Sequence, residues 1–346
     1  MDALLSPRRR RLLAAIGATA LGAACSRPPE GAAPALRFGG QSMGSTWSVR
    51  VAGGPFDAAL AAAARRAVAD ALDDVVARMS TFDPQSEVGR FNRHAAGTVF
   101  AMSSDTLAVL EHARQVASLS GGAFDPTVAP LVRAWGFGAD ATARGGAPTP
   151  GELDAAVGWQ HLVLDAADGS VRKALPALQL DLSGIAKGHA VDRAARALEA
   201  LGLGRYMVEA GGEIRTQGLN AEGRPWQIAV ERPDAWPPRA HRVVPLQGLA
   251  IATSGDYRNF YEQAGQRIHH EIDPATRAPA AHRLASVSVV HDSCRHADAM
   301  ATALFVLGPE RGLTLAREQR LAALFIVREA GGGFRDLASP AFATLG

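Results

Sequence analysis

Cysteine is almost missing from this chain of 346 residues: only Cys25 and Cys294 are present. That excludes a small disulfide-stapled scaffold. If Cys25 is acylated, no intrachain disulfide is available at all. Aromatic residues are scarce as well, with three Tyr, five Trp and twelve Phe, which leaves little for base-stacking platforms. A strong net charge is also absent, since the formal value is +2. Arg8, Arg9, Arg10, Arg11 and Asp2 all fall in the first 25 residues, and the rest holds 32 basic and 33 acidic side chains. A near-neutral body argues against nucleic acid as the main partner. The apolar run at residues 12–24 is too short to span a bilayer comfortably.

Hydrophobic residues make up 47% of the chain and charged ones 20%, enough for a sizeable core in one large domain or two lobes. With 36 Gly and 20 Pro, turns are many.

The basic cluster, the apolar run and Cys25 together read as a signal peptide over residues 1–25. Arg9-Arg10-Arg11-Leu12-Leu13 fits a twin-arginine signal, and an ordinary secretory signal with a rich basic end is the alternative. Leu21-Gly22-Ala23-Ala24-Cys25 resembles a lipobox, although Gly22 stands where leucine is usual. Simple cleavage nearby, with Cys25 an incidental thiol, is the other reading. Residues 26–36, rich in Pro, Gly and Ala, read as a linker, and 37–346 as the folded domain.

Periodicity predicts a strand within residues 38–51 and a long helix over 57–79 capped by Asp57. A second helix spans about 105–119, and Thr149-Pro150-Gly151-Glu152 is a capping box opening a short one. Residues 161–182 read as a meander turning at Asp168-Gly169, with 178–182 its last strand. A turn at 184–188 leads to a helix stopped by Gly202. Strands follow at 206–210, 213–216, 226–230 and 249–253, then a helix at 298–307 and a final strand at 321–327. Hairpins beside helices make this an α+β fold with mixed or antiparallel sheets.

Four segments carry chemistry. In Asp181-Leu182-Ser183-Gly184-Ile185-Ala186-Lys187-Gly188-His189 a strand gives way to a helix beside a lysine. Free N–H groups, the helix dipole and Lys187 favour a phosphate, although an ordinary turn with a solvated lysine has the same pattern. It is not a Walker A loop. In His296-Ala297-Asp298-Ala299-Met300-Ala301-Thr302, Asp298 and Thr302 share a helix face and offer hard oxygen ligands. A helix cap and a satisfied hydroxyl are the plainer roles. His269-His270-Glu271-Ile272-Asp273-Pro274 places proton-shuttling side chains before an Asp-Pro turn, with no further Cys or His spaced to complete a zinc site. Residues 79–92 form a polar loop presenting Phe82, which suits ring stacking or core packing.

Read in order, these four segments join Met43-Gly44-Ser45-Thr46, Gly122-Ala123-Phe124-Asp125-Pro126-Thr127, Glu209-Ala210-Gly211-Gly212 and Thr253-Ser254-Gly255-Asp256-Tyr257. The series resembles the ApbE family of FAD:protein FMN transferases from residue 38 to about 310. The resemblance implies two lobes with FAD and a metal in the cleft. It implies FAD-binding roles for Met43, Phe82, Ala123, Phe124, Asp125, Asp181, Lys187 and Ile272. It implies a Mg²⁺ held by Asp298, Thr302 and the backbone oxygen of Gly184. His189, Ser183 and Arg277 depart from the commonest family pattern, which has tyrosine, glycine and glycine there.

The reaction this implies moves FMN from FAD to a Thr or Ser hydroxyl of an acceptor flavoprotein, with release of AMP. His270 is the first candidate for the base and Asp298 the second. The same residues also suit a Mg²⁺-dependent FAD pyrophosphatase, or a non-catalytic FAD-binding lipoprotein. Signal, lipobox and resemblance together place the protein outside the cytoplasm, periplasmic and tethered to the inner membrane through Cys25. Its partners would be FAD, an extracytoplasmic acceptor with a Thr/Ser motif, and the membrane, with no nucleic acid.

Overall fold

The alternation around Trp47 produces one arm of a hairpin. The structure, a computed structural model, describes residues 35–139 and 156–345. Strands β1 (Ala35–Ser42) and β2 (Ser45–Ala52) pair across Met43-Gly44, so the expected single strand is a hairpin and the linker's last two residues belong to β1. Met43 and Gly44 have φ of 52° and 69°, the left-handed pair that a two-residue connection requires. Trp47, Val49 and Val51 all point into the core.

Six more strands extend this sheet: β3 (Tyr206–Ala210), β4 (Glu213–Gln217), β5 (Ala250–Gly255), β6 (Leu284–His291), β7 (Ala322–Arg328) and β8 (Phe334–Ala338). They lie side by side in chain order, each antiparallel to the next. The fold is thus α+β with antiparallel sheets, and an isolated bridge between Val128 and Gln179 is parallel. Strand β8 follows the strand expected to be last; its half-exposed residues give no clear alternation.

The chain forms helices α1 (Ala58–Met79), α2 (Glu87–Arg93), α3 (Ser104–Leu119), α4 (Ala129–Ala134), α5 (Ala186–Ala200), α6 (Cys294–Glu318) and α7 (Pro340–Ala343). Asp57 caps α1 by accepting the Leu60 N–H at 2.7 Å. Helix α2 lies inside the segment read as a loop; it has two turns, too few to show a period. Helix α6 starts earlier than expected, behind a Ser293 cap, and its helical φ/ψ break at Gly308 (φ 78°) before Pro309 restarts it. No helix among the described residues is long and apolar enough to cross a membrane.

Residues 178–182 do not form the expected strand. Side chains satisfy their backbone instead: Asn92 accepts the Leu180 N–H at 2.7 Å and donates to its carbonyl at 3.0 Å. Lys173 Nζ donates to the Leu178 carbonyl at 3.0 Å. The preceding hairpin, Leu162–Asp165 with Ser170–Lys173, turns through Gly169 as expected. The signal segment, residues 26–34 of the linker and the capping box at 149–152 lie outside the described residues.

The sheet is buried on both faces. One face packs Val287, Val289, Ala323 and Phe325 against α1, α3, α5 and α6. The other packs Val290, Leu324 and Ile326 against the hairpin Trp226–Glu231 with Ala240–Leu246. Double burial explains why β7 reads as a near-continuous apolar run and why Leu284 to Val290 of β6 are all buried, Ser286 and Ser288 included. It also lays α5 and α6 side by side over the central strands, which sets the candidate site.

Candidate active site

The site is built where α5 begins. Ile185, its first flanking residue, has no side-chain cap. Asp298, from α6, accepts the Gly188 N–H through Oδ2 at 2.8 Å. Asp298 is therefore a helix cap, but of a neighbouring helix. Gly188 is required by the close approach of the two helices: a Cβ there would collide with the Cys294 carbonyl and stand 2.7 Å from Asp298 Cβ. Gly184 is equally confined, since a Cβ would lie 2.8 Å from Thr302 Oγ1 and 3.3 Å from the Phe124 ring. Gly184, Gly188, Asp298 and Thr302 thus come together, with Phe124 against them.

Lys187 projects from the first turn of α5 and pairs with Glu213 at the start of β4. Its side chain keeps 33% of its surface accessible, whereas Glu213 keeps 2%. The second Glu213 oxygen, Oε2, is buried without a hydrogen-bond partner. Burial pulls the Lys187 ammonium down, but Glu213 and Asp298 outweigh it and hold its pKa above the ordinary lysine value. Burial raises Glu213, with Lys187 opposing. It raises Asp298 too, against Lys187 and the Gly188 N–H.

Glu271 joins this cluster. Burial raises its pKa; His270, Lys187 and a hydrogen bond from Ser254 oppose the shift. Ser254 in turn sits 3.1 Å, oxygen to oxygen, from Thr302. His270 Nε2 lies 3.7 Å from Glu271 Oε1, and its side chain is 36% accessible. Its Nδ1 is 3.2 Å from the Asn259 carbonyl. Three buried carboxyl groups thus gather around Lys187 with their pKa values raised, a set that a cation would help to keep ionised. Glu213, Glu271 and Ser254 were not assigned from sequence; Glu213 directly follows Gly211-Gly212 and Glu271 follows His270, but neither position betrays its burial.

The profile of the ApbE family matches residues 43–325 of this chain. The chain belongs to the ApbE family. A Vibrio cholerae relative named FAD:protein FMN transferase is 40% identical over 96% of this chain and 98% of its own length. A Salmonella typhimurium relative of the same name is 38% identical over 92% of this chain and 93% of its own. Among solved structures, the flavin transferase ApbE from Vibrio cholerae superposes with TM-score 0.81 at 39% identity, covering 90% of this chain and 99% of that one. The apo flavinyl transferase ApbE of Pseudomonas stutzeri gives TM-score 0.81 at 38% identity, covering 90% and 97%.

Of the other residues that the resemblance picks out, Phe124 approaches the cluster at Gly184. Ala123, Phe124 and Asp125 are buried beyond α3, where Gly121 and Gly122 take positive φ. Asp125 accepts from Thr127 N–H at 2.8 Å and Trp159 N–H at 3.1 Å, and burial raises its pKa against those bonds. It helps line a cavity of about 210 Å³ with Gly121, Gly122, Trp159, Pro274 and Arg277. Asp181 accepts the Ser183 N–H at 2.8 Å, and its own N–H reaches the Pro126 carbonyl at 2.8 Å. Ile272 is buried in the short strand Ile272–Asp273. Met43 is in the β1–β2 turn, where Thr46 O accepts the Gly211 N–H at 3.2 Å. Phe82 stands apart, 67% exposed.

The three departures from the family pattern are accommodated. Ser183 joins the turn at Asp181. His189 is buried, 3.1 Å from Asp105. Arg277 takes φ 59°, the conformation a glycine would have there.

Proposed function

We propose that this protein transfers FMN from FAD to a threonine or serine hydroxyl of an acceptor flavoprotein and releases AMP. The observation that carries this reading is the meeting of Gly184, Lys187, Gly188, Asp298 and Thr302 at the start of α5. The relatives named FAD:protein FMN transferase support it over nearly the full chain.

The acceptor oxygen attacks the FMN phosphorus; the bond from that phosphorus to the bridging oxygen breaks, and AMP leaves with it. The hydroxyl proton passes to His270, the more accessible base candidate. Lys187 and the α5 N-terminus offer positive potential to the phosphates. The Ala123–Asp125 segment and the cavity beside it offer a place for the rest of the FAD.

The donors fit Mg²⁺. Asp298, Thr302 and the Gly184 backbone are hard oxygen ligands, and a cation would help to keep the surrounding carboxyl groups ionised. Among the described residues no three His, Cys, Asp or Glu side chains form a metal cage, so substrate phosphate and water would complete the shell. When bound, Mg²⁺ neutralises charge on the pyrophosphate and on departing AMP.

Residues 1–25 would carry the protein out of the cytoplasm, residues 26–36 would separate anchor from domain, and Cys25 would hold a lipid in the inner membrane. Replacing Cys25 with Ser should then move the protein from the membrane to the soluble fraction.

The deciding experiment incubates the chain with FAD, Mg²⁺ and an FMN-domain acceptor, then reads flavin fluorescence of the denatured acceptor on a gel alongside AMP. A fluorescent band lost when the acceptor threonine is removed supports transfer. AMP without a band points to pyrophosphatase activity, and bound FAD with neither product to storage.

A further inference from the structure

Three histidines outside the proposed site meet at one surface. His112 lies on α3, His291 at the end of β6 and His296 in the first turn of α6. His112 Nε2 and His296 Nδ1 share a hydrogen bond of 3.1 Å, one ring donating to the other, with the rings inclined at 73°. The His291 ring rests on His296 with centroids 4.3 Å apart. Its Nδ1 is engaged, 2.8 Å from Asp292 Oδ1 and 3.0 Å from the Ser293 N–H.

We propose that His112 and His296 form a two-histidine binding site for a divalent transition-metal ion such as Zn²⁺, bridging α3 and α6. Two imidazole nitrogens that each stand about 2.0–2.1 Å from one Zn²⁺ are separated by roughly 3 Å. The observed separation is of that size. Both ligands sit on packed helices, one from each, so the pair is held before any ion arrives.

The ion would take the place of the proton shared by the two facing nitrogens, and that proton moves to the far nitrogen of its ring. Arg295 opposes a cation at this place, while Asp192 and Asp292 favour one. Imidazole ligands select Zn²⁺, Cu²⁺ or Ni²⁺, whereas the oxygen donors of Asp298 and Thr302 suit Mg²⁺. The two sites therefore choose different ions although His296 and Asp298 share α6. Water fills the positions that two side chains leave open. The inference is independent of the transferase reading.

The test titrates the full chain with Zn²⁺ in excess Mg²⁺, by calorimetry and by thermal unfolding. One Zn²⁺ should bind per chain and raise Tm, because it binds only the folded pair. H112Q and H296Q should each weaken binding about tenfold or more and abolish the rise in Tm. Asp298→Asn should retain it. Circular dichroism checks that the variants fold, and H112Q alone decides if H296Q does not. Absence of saturable binding overturns the site. So does Zn²⁺ affinity unchanged in H112Q, or lost only in Asp298→Asn.

Discussion

Asp298 Oδ2 accepts the Gly188 N–H at 2.8 Å and so closes the otherwise uncapped start of α5. A residue of α6 thereby fixes where the first turn of α5, with Lys187, stands. The bond leaves the other carboxylate oxygen for a second role, and the two roles can be separated by substitution.

Asp298→Asn keeps an oxygen for Gly188 but loses the charge. Folding should be nearly unchanged, while Mg²⁺-dependent transfer falls by roughly 10²–10³-fold, the usual scale for removing one electrostatic contact to a transition state. Thermal unfolding beside the transfer assay measures both. A variant that unfolds at much lower temperature would mean that Asp298 acts chiefly through the fold.

Gly188→Ala forces a methyl group against the Cys294 carbonyl and Asp298 Cβ. Overpacking of this kind costs about 1–3 kcal/mol. Denaturant unfolding should show that loss, together with weaker Mg²⁺ dependence. An unchanged midpoint would mean that the helices separate freely.

His270→Ala should slow transfer by about 10²-fold or more while FAD affinity changes far less. Single-turnover rates and FAD titration distinguish the two. Equal rates in variant and parent would remove His270 as the base.

His269 is buried, and burial lowers its pKa to about 4 from the ordinary 6.5. Below 6.5 the unfolded chain takes up a proton that the folded chain refuses, so this group's contribution to stability falls as pH drops from 6.5 towards 4. At pH 5 the cost is on the order of 2 kcal/mol. Since raised carboxylates such as Glu271 run the other way, the difference is read in a variant. His269→Gln should lose less stability than the parent between pH 7 and pH 5. An identical loss would show that His269 does not set the slope.

Elements whose signal is local were legible. Asp57 announced α1 because a cap acts on an N–H three residues away. Gly211-Gly212 announced the β3–β4 turn because both need positive φ. The strand at 178–182 was misread because its apolar residues are buried without a ladder, their backbone served by Asn92 and Lys173. Helix α2 was missed because seven residues are too few to show a period.

By itself the sequence determined the start of α1, the tight turns, the order of the motifs and, through that order, the family. These depend on neighbours within a few positions or on types of residue in succession. Only the tertiary structure decided that Asp298 caps α5, that Glu213 and Glu271 are buried beside Lys187, and that His112 meets His296. Each of those pairings crosses from one element to another. Their geometry is set by how a sheet buried on both faces stacks its helices, and no local pattern of side chains records it.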